Sequence, residues 1–449
     1  IIRTSGKNSF YAPIVNTGTV EIGGQDLLSG EDVYINNSGM GNSAKVTLLS
    51  NSSLTIKDGA YIGQNQVITD APTSEIILSN GTLTLDALDT WLGKITLEAG
   101  KTDSVFNYLG VTNGGAEDAR GELNALSGYL NVMARGTGVA NTLNITQNDT
   151  IAKNVVLDIA QFATLYIKDH SAANAIEFNP DEDTLLGSIV LENSYLKLAP
   201  NNPQTDDDKK LTIDVANTIT NSDTSSMSTI ENAGIDLTIS TNQAGYSGIY
   251  KQSSGSLTVG TSGTLFSKDS KKVIDGGSAT VTVTSNQTVG ADGTRSDVSN
   301  ITIGNNVIFN LTAGGGNVDN DLLQFTGKDS EVTLISYPNK SYTLYNIGAV
   351  GGTQSNTLTF GSNAATSTTL VNLGRVSEDD PYAYLGEIKY NFVNANVIAN
   401  DDAMNKYEFN YLGTDNAKFN MDIDLATTDT ENMADDQKTL FLIDFIFLH

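Results

Sequence analysis

The sequence holds few residues suited to nucleophilic or acid–base catalysis. His170 and His449 are its two histidines, and it contains no cysteine. A Ser-His-Asp triad needs a histidine beside a nucleophilic serine, and neither Gly-Asp-Ser-Gly nor Gly-x-Ser-x-Gly occurs in the chain. His170 lies in the polar stretch Lys168-Asp-His-Ser-Ala172, which predicts a solvated loop residue. We therefore expect no catalytic residue among the histidines.

Paired carboxylates are the other candidates for chemistry, because glycosidases place two carboxyl groups on either side of the bond that they cleave. In a chain with 52 acidic residues, we interpret these pairs as solvated loop carboxylates. A polysaccharide-active β-helix enzyme is the alternative, although the Gly-His-Gly signature of the polygalacturonase type is absent. The clusters are Asp181 and Asp183, Asp206 to Asp208, Asp319 and Asp321, Asp379 and Asp380, Asp401 and Asp402, and Asp435 and Asp436.

Calcium is the metal that these oxygen-rich stretches would suit, since it takes carboxylate and carbonyl oxygens as ligands. The candidates are Asp319-Asn-Asp321 and Asn179-Pro-Asp-Glu-Asp183. Neither stretch completes a twelve-residue calcium loop, and the nine-residue Gly-Gly-x-Gly-x-Asp repeat is missing. We therefore predict no metal site and no cofactor.

Charge and hydropathy exclude several classes of function. The formal net charge is −27 and the pI is near 4.2, which disfavours both nucleic acid and anionic lipid as partners. No apolar run reaches the roughly 18–20 residues that cross a bilayer, so we expect no membrane insertion of this segment. The chain starts at Ile1 without a basic and apolar leader. We interpret it as a processed piece of a precursor, which would carry any membrane anchor.

Short β-type runs fill the chain and often come as doublets around a polar corner. Thr and Val favour the pleated conformation, and alternation sends one set of side chains inward. Asn and Gly tolerate the left-handed backbone of a sharp corner. The doublets lie at 46–56, 76–85, 157–167, 189–198 and 301–311, and an example is Ile76-Ile-Leu-Ser-Asn-Gly-Thr-Leu-Thr-Leu85.

The spacing of the doublets distinguishes two all-β folds. A hairpin meander would show tight loops throughout and longer strands. Irregular intervals of roughly 20–35 residues instead favour a solenoid with variable loops. We predict an all-β fold with little helix, an elongated single-stranded right-handed parallel β-helix (β-solenoid) with irregular coils and loops. A chain of β-sandwich domains is the alternative.

The pattern also predicts a core and two domains. Residues 1–375 form the solenoid, and the aromatic-richer residues 376–449 form C-terminal coils or a cap. The apolar segment 440–449 is expected to be a buried final strand or an interface, because it would promote aggregation if exposed. Eight residues should point inward and stack between coils: Leu54, Ile56, Leu83, Leu85, Leu196, Leu198, Ile301 and Ile303.

The doublets with Asn/Ser/Thr/Gly-rich corners, no Cys and a low pI resemble the passenger domain of a bacterial autotransporter of the adhesin type (type V secretion), or a similar secreted β-solenoid. The most telling stretches are 51–63 and 79–85. The resemblance covers about residues 13–375 and implies a right-handed β-helix at the cell surface. The chain shows neither the signal peptide nor the C-terminal β-barrel of that family.

This resemblance implies an extracellular, outer-membrane-displayed structural or adhesin-like protein without enzymatic activity. Its loops and flat faces would bind host or cell-surface glycans or proteins, or mediate self-association. Two alternatives stay open: the polysaccharide-active enzyme, and a subunit of a self-assembling surface layer or filament.

Overall fold

Strands dominate the part of the chain that the computed structural model describes. The only helical element in this part is one turn of 3-10 helix, Ala172–Asn174. The described residues are 8–9, 14–16, 19–22, 33–35, 45–57, 60–62, 75–86, 90–91, 93–110, 121–134, 141–153, 155–178, 184–185, 187–200, 210–213, 219–222, 228–240, 246–261, 266–267, 270–291, 293–344, 356–362, 369–373, 389–393, 395–399 and 420–421.

The strands of the first half are mostly three to five residues long, as the short alternating runs predict. In chain order they are β1 (Asn8–Ser9), β2 (Ile14–Asn16), β3 (Thr19–Ile22), β4 (Val33–Ile35), β5 (Lys45–Leu48), β6 (Ser53–Lys57), β7 (Ala60–Ile62), β8 (Glu75–Leu78), β9 (Thr82–Asp86), β10 (Thr90–Trp91), β11 (Lys94–Leu97), β12 (Val105–Tyr108), β13 (Leu123–Ala125), β14 (Gly128–Val132), β15 (Asn141–Ile145), β16 (Thr150–Ile151), β17 (Val155–Ile159), β18 (Ala163–Lys168), β19 (Ile176–Phe178) and β20 (Thr184–Leu185).

The remaining strands include two of eleven residues, β25 and β26. The full set is β21 (Ser188–Glu192), β22 (Tyr195–Leu198), β23 (Lys210–Ile213), β24 (Ile219–Asn221), β25 (Thr229–Ile239), β26 (Ile249–Val259), β27 (Lys271–Ile274), β28 (Gly277–Thr282), β29 (Ile301–Ile303), β30 (Val307–Ala313), β31 (Gly316–Val318), β32 (Leu323–Phe325), β33 (Glu331–Ser336), β34 (Ser341–Leu344), β35 (Thr357–Phe360), β36 (Thr369–Leu373), β37 (Lys389–Phe392), β38 (Ala395–Ala399) and β39 (Asn420–Met421).

Parallel pairing between successive coils shows that the fold is a β-solenoid. Strands β8 and β9 flank an Asn-Gly corner, yet they do not pair with each other as a hairpin would. Instead β8 pairs with β5 and β11, and β9 pairs with β6 and β12, all in parallel. The predicted all-β parallel helix is therefore confirmed, and the sandwich alternative is wrong.

The chain divides into two compact units, Ile1–Ala279 and Thr280–His449. In the first unit, β3, β6, β9, β12, β14 and β17 form one six-stranded sheet, and β2, β5, β8, β11, β13 and β16 form a second. Two further rows contain β15, β18, β21 and β24, and β19, β22, β25 and β26. In the second unit, β30, β33, β35 and β37 form one row, and β31, β34, β36, β38 and β39 form another.

Columns of apolar side chains fill the interior of the coils. Leu54, Leu83, Phe106, Leu130 and Leu157 occupy one register position in five successive coils, and none is more than 2% exposed. All eight residues predicted to point inward are buried, with exposures of 2% or less. The core prediction is confirmed, because alternation along each strand specifies which face meets the interior.

The predicted Asn corners also have the predicted backbone. Asn51, Asn80, Asn193 and Asn306 have φ values of 62°, 67°, 48° and 56°, in the left-handed region. Each corner lets one strand end and the next begin at a new angle within the same coil. Asn is suited to this position because its short side chain reduces the cost of left-handed backbone.

The long strands β25 and β26 turn their corner without leaving the sheet. Their pairing shifts register at a bulge between Asn232 and Asp236. Asn232, which is fully buried, accepts hydrogen bonds there from the backbone N–H groups of Gly234 (3.2 Å) and Ile235 (2.9 Å). A bulge of this kind bends a strand. The bend takes these two backbone N–H groups out of the ladder, and the side-chain oxygen of Asn232 provides their hydrogen-bond acceptor.

Strand pairing continues beyond residue 375, since β35 pairs with β37 and β36 pairs with β38. The division into domains at 375 and the role of 376–449 as coils or a cap stay predictions. The apolar segment 440–449 lies outside the described residues, and its expected burial also stays a prediction.

Candidate functional site

Charged side chains on the outer face of the first unit alternate in sign from coil to coil. In-register pairing places Glu177, Lys197, Glu231 and Lys251 in one row. Lys197 Nζ lies 3.6 Å from Glu177 Oε2, and Lys251 Nζ lies 3.8 Å from Glu231 Oε1. Parallel in-register strands place equivalent positions beside each other, so side chains of like charge would repel. Here the sign of the charge alternates between neighbouring strands, so the neighbours attract.

Glu231 is the most heavily engaged carboxylate of this row. Tyr195 donates a hydrogen bond from its hydroxyl to Glu231 Oε2 at 2.6 Å. Partial burial opposes ionisation, but hydrogen bonds from Tyr195 and Ser253 and the charges of Lys251 and Lys197 together lower the pKa of Glu231. Burial, and then the carboxylate beside it, raise the pKa of Tyr195, so the phenol remains a donor.

The lowered pKa of Glu231 predicts a loss of stability in acid. The ionised carboxylate stabilises the folded state fully above its ordinary pKa of 4.5, and this contribution disappears as the pH falls through the lower folded value. We expect Glu231→Gln to be less stable than the wild type near neutral pH, and the difference to shrink below that ordinary value. Urea unfolding across this pH range measures it. Glu331→Gln, at an exposed position, is the control, and a Glu231→Gln difference that does not change with pH would contradict the argument.

Other outward carboxylates are engaged in the same way. Lys94 Nζ lies 2.8 Å from Glu122 Oε1, and Lys168 Nζ lies 3.4 Å from Glu192 Oε1. Tyr166 also donates a hydrogen bond to Glu192. These carboxylates contact side chains on the strands of neighbouring coils, so each pair links two adjacent coils.

An uncharged row of amides and hydroxyls crosses the sheet that contains β9, β12 and β14. Asn131 Nδ2 donates to Asn107 Oδ1 at 2.8 Å, and Asn107 Nδ2 donates to Thr84 Oγ1 at 3.2 Å. The three residues are register partners in consecutive coils. The hydrogen bonds orient both amide planes along the row.

Large apolar side chains are exposed beside this amide row. Among the described residues, the exposed large hydrophobic side chains are Tyr129, Met133 and Phe162 in the first unit and Ile308 in the second. Tyr129 points outward on β14 and Met133 directly follows that strand, and they are 38% and 36% exposed. Phe162 is 42% exposed at the corner that precedes β18.

Phe162 has an unusual backbone for its residue type. Its φ is +67°, and the other described non-glycine residues with positive φ are all Asn or Asp. A bulky residue in this region is a genuine outlier. Phe at a position that suits Asn costs backbone conformational energy, so the exposed ring requires a functional explanation.

His170 corrects the sequence prediction of a solvated loop residue. It is 3% exposed, with Nδ1 3.0 Å from the carbonyl oxygen of Asn174 and Nε2 2.9 Å from the carbonyl oxygen of Thr146. Its backbone N–H also donates to Ser194 Oγ at 3.3 Å. The ring therefore links the backbone at Thr146 to the backbone at Asn174. It lies at a corner of its coil, where the stacked coils cover it from water.

Replacement of His170 should consequently cost stability. We expect His170→Ala to reduce the free energy of unfolding by about 1–3 kcal/mol, because it removes both ring contacts and opens a cavity. Urea denaturation checks the value. Ser171→Ala is the matched control, since that neighbour is exposed and makes no side-chain cap to the 3-10 turn. Equal stability of the two variants would contradict the structural role.

Asp319 and Asp321 do not converge on a shared site. Asp319 Oδ1 accepts hydrogen bonds from the backbone N–H groups of Asp321 (3.0 Å) and Leu322 (3.1 Å), which closes a local turn. No group of three or more His, Cys, Asp or Glu side chains in the described part of the chain is placed to hold a metal ion. The other predicted clusters lie outside the described residues, as do His449 and the stretch 179–183; they are Asp181, Asp183, Asp206, Asp207, Asp208, Asp379, Asp380, Asp401, Asp402, Asp435 and Asp436.

Arg295 and Asp297 form a largely buried ion pair. Arg295 Nε lies 2.6 Å from Asp297 Oδ1, and Nη2 lies 2.8 Å from Oδ2, a bidentate arrangement. Their side chains are 11% and 12% exposed. Such a fork strongly fixes the relative geometry of the two side chains.

The sequence did not predict the outward-facing groups described above, namely the charged row, the amide row and the exposed apolar side chains. Alternation identifies which residues point outward, but it does not identify which outward residues become neighbours, because coil lengths vary. Phe162 could have been noticed, since it replaces Asn in the corner of the doublet at 157–167.

Comparisons with protein-family models, with curated proteins and with solved structures find no match to this chain. A search of the described residues for a helix long and apolar enough to cross a bilayer also finds none.

Proposed function

We propose that the protein is a non-enzymatic, adhesin-like stalk displayed outside a bacterial cell, of the kind found in autotransporter passenger domains. The observation that carries the proposal is the use of outward carboxylates to link adjacent coils. Glu122, Glu192 and Glu231 each lie within 4 Å of a lysine ammonium on a strand of an adjacent coil. A solenoid stabilised in this way is a rigid support for display.

The electrostatics of Glu231 do not suit the acid of a glycosidase. A glycosidase acid needs a carboxyl group whose pKa is raised, so that it holds a proton near neutral pH. The surroundings of Glu231 lower its pKa instead. Both of its oxygens already have partners in the protein: the Tyr195 hydroxyl donates to Oε2, and Lys251 Nζ lies 3.8 Å from Oε1.

Two measurements on the full chain test this function. Beads coated with the protein should adhere to surfaces that carry polysaccharide or cell-envelope material, and uncoated beads should not. Incubation with soluble polysaccharides should release no reducing sugar. Failure to adhere would contradict the adhesive function. Sugar release that Glu231→Gln or another single carboxylate variant abolishes would favour the polysaccharide-active enzyme.

A further inference from the structure

In the first unit, exposed apolar side chains lie on and next to the sheet that holds the amide row: Tyr129 is on β14, Met133 follows that strand, and Phe162 lies at the corner after β17 of the same sheet. We define the aromatic-amide patch as Asn107, Tyr129, Asn131, Met133 and Phe162. We propose that this patch binds a neutral oligosaccharide. The proposal rests on the proposed adhesive function and names the class of ligand that this function would use.

The fold holds the patch together through strand register and one buried side chain. Tyr129 and Asn131 lie on one side of β14, Met133 follows the last residue of that strand, and Asn107 is the register partner of Asn131 on β12. Asn141 connects Phe162 to the rest of the patch. Its Nδ2 donates a hydrogen bond to the carbonyl oxygen of Met133 at 2.7 Å, and its backbone N–H donates to the carbonyl oxygen of Phe162 at 3.3 Å. Asn141 is 8% exposed, so this connection is part of the packed interior.

The strained corner provides the first argument for a ligand. Other corners of the described chain place Asn or Asp where Phe162 stands. Residues held in sparsely populated backbone regions cluster at binding sites. Since Phe162 is 42% exposed, a substantial part of its surface is left without contact in the protein itself. A ligand that packs against the ring would supply the missing contact.

The amide row provides the second argument. Each Asn amide has two N–H donors and a carbonyl oxygen with two lone pairs. Hydrogen bonds within the row use one N–H of Asn131 and one N–H of Asn107. Each of these oriented amides therefore has a second N–H donor and further oxygen lone pairs that can bond a ligand. Sugar hydroxyls both donate and accept, so they match alternating amide groups. Aromatic and apolar rings beside a few placed polar groups are typical of small-ligand sites.

Charge selects a neutral ligand over an acidic one. The five residues of the patch carry no charge, Asp158 is the register partner of Asn131 on the next coil, and the chain as a whole has a net charge of −27. A polyanion would gain no ion pair at the patch and would be repelled by the rest of the protein. The patch therefore fits an uncharged, hydroxyl-rich chain.

The test compares variants that change the patch without disturbing the coils. In Phe162→Asn the corner receives the residue type used elsewhere, so its melting temperature should equal or exceed that of the wild type. Tyr129→Thr keeps a strand-forming residue, as at Thr82 in the same register position two coils away. Ile308→Thr, an exposed apolar residue of the second unit, is the matched control.

Affinity electrophoresis through mannan, galactan and dextran, and pull-down on cellulose and chitin, measure binding by the full chain. Alginate serves as the acidic comparison. We expect at least one neutral polymer to retain the wild type and Ile308→Thr equally, and each patch variant to weaken that binding at least about fivefold. Unchanged binding by both patch variants would overturn the proposal, as would retention by alginate alone or by no polymer.

These outcomes separate the patch from the proposed function. If the coated beads adhere but the patch variants bind as the wild type does, the adhesive function stands and the patch is not its site. If the beads fail to adhere to any surface, the adhesive function itself is wrong.

Discussion

Replacing Leu83 by Asp is expected to unfold the coils around β9. Leu83 is fully buried and lies between Leu54 and Phe106 in the core column. Removal of a leucine side chain from such a site costs about 2–5 kcal/mol, and an unpaired carboxylate in the dry interior costs several kcal/mol more. The sum approaches the total stability of an ordinary domain, roughly 5–15 kcal/mol.

Limited proteolysis and hydrogen exchange measure the effect of Leu83→Asp and its extent. New cleavage and lost protection should centre on residues 45–134, because strands of a solenoid contact only neighbouring coils. The unit Thr280–His449 should keep its protection. Thr82→Asp is the matched control, since Thr82 lies one residue away on the opposite face of the same strand. Equal damage from both substitutions would show that the inward assignment is wrong.

Replacing Gly255 by Ala is expected to be nearly as damaging, although it adds a single methyl group. Gly255 has a φ of +83° at the bend of β26. A Cβ there would collide with the carbonyl oxygen of Ile235 and lie 2.8 Å from the carbonyl carbon of Gly234 in the preceding coil. Left-handed strain and overpacking together should cost about 2–5 kcal/mol.

Gly100 separates the two contributions to this cost. It has a φ of +73°, but nothing lies within 4 Å of the position that a Cβ would take. Gly100→Ala should therefore cost only the backbone strain, about 1–2 kcal/mol. Urea denaturation of both variants measures the difference. If Gly255→Ala were no worse than Gly100→Ala, close stacking of the coils at this bend would not be what requires glycine.

The fold could be predicted from the sequence because its determinants are local. Alternation in runs such as Thr82–Asp86 specifies the buried face, and an Asn such as Asn80 specifies the left-handed corner. Both signals lie within a few residues, and they recur in several of the described coils. The inward positions of the core columns were consequently predictable without knowing which coils adjoin.

The candidate site could not be predicted, because it depends on which residues meet across coils. His170 looks solvated in its polar sequence neighbourhood, but stacking brings the carbonyl oxygen of Thr146 to its ring. Asn107 and Asn131 are 24 positions apart, and their contact follows from the length of the loop between them. Loops of variable length carry no periodic signal, so the register between strands of adjacent coils cannot be predicted from the sequence.

The parallel ladders of the first unit have a mechanical consequence. In a row such as β6, β9, β12 and β14, each strand is hydrogen-bonded only to the strands before and after it. A pull directed along the row loads the ladders in series, so each ladder carries the whole force, and the weakest ladder rather than the number of coils sets the force of rupture. Opposing pulls along two neighbouring strands instead load all hydrogen bonds of their ladder in shear. Tethered through opposite ends of two neighbouring strands, the unit should therefore resist far more force than when tethered through its first and last coils.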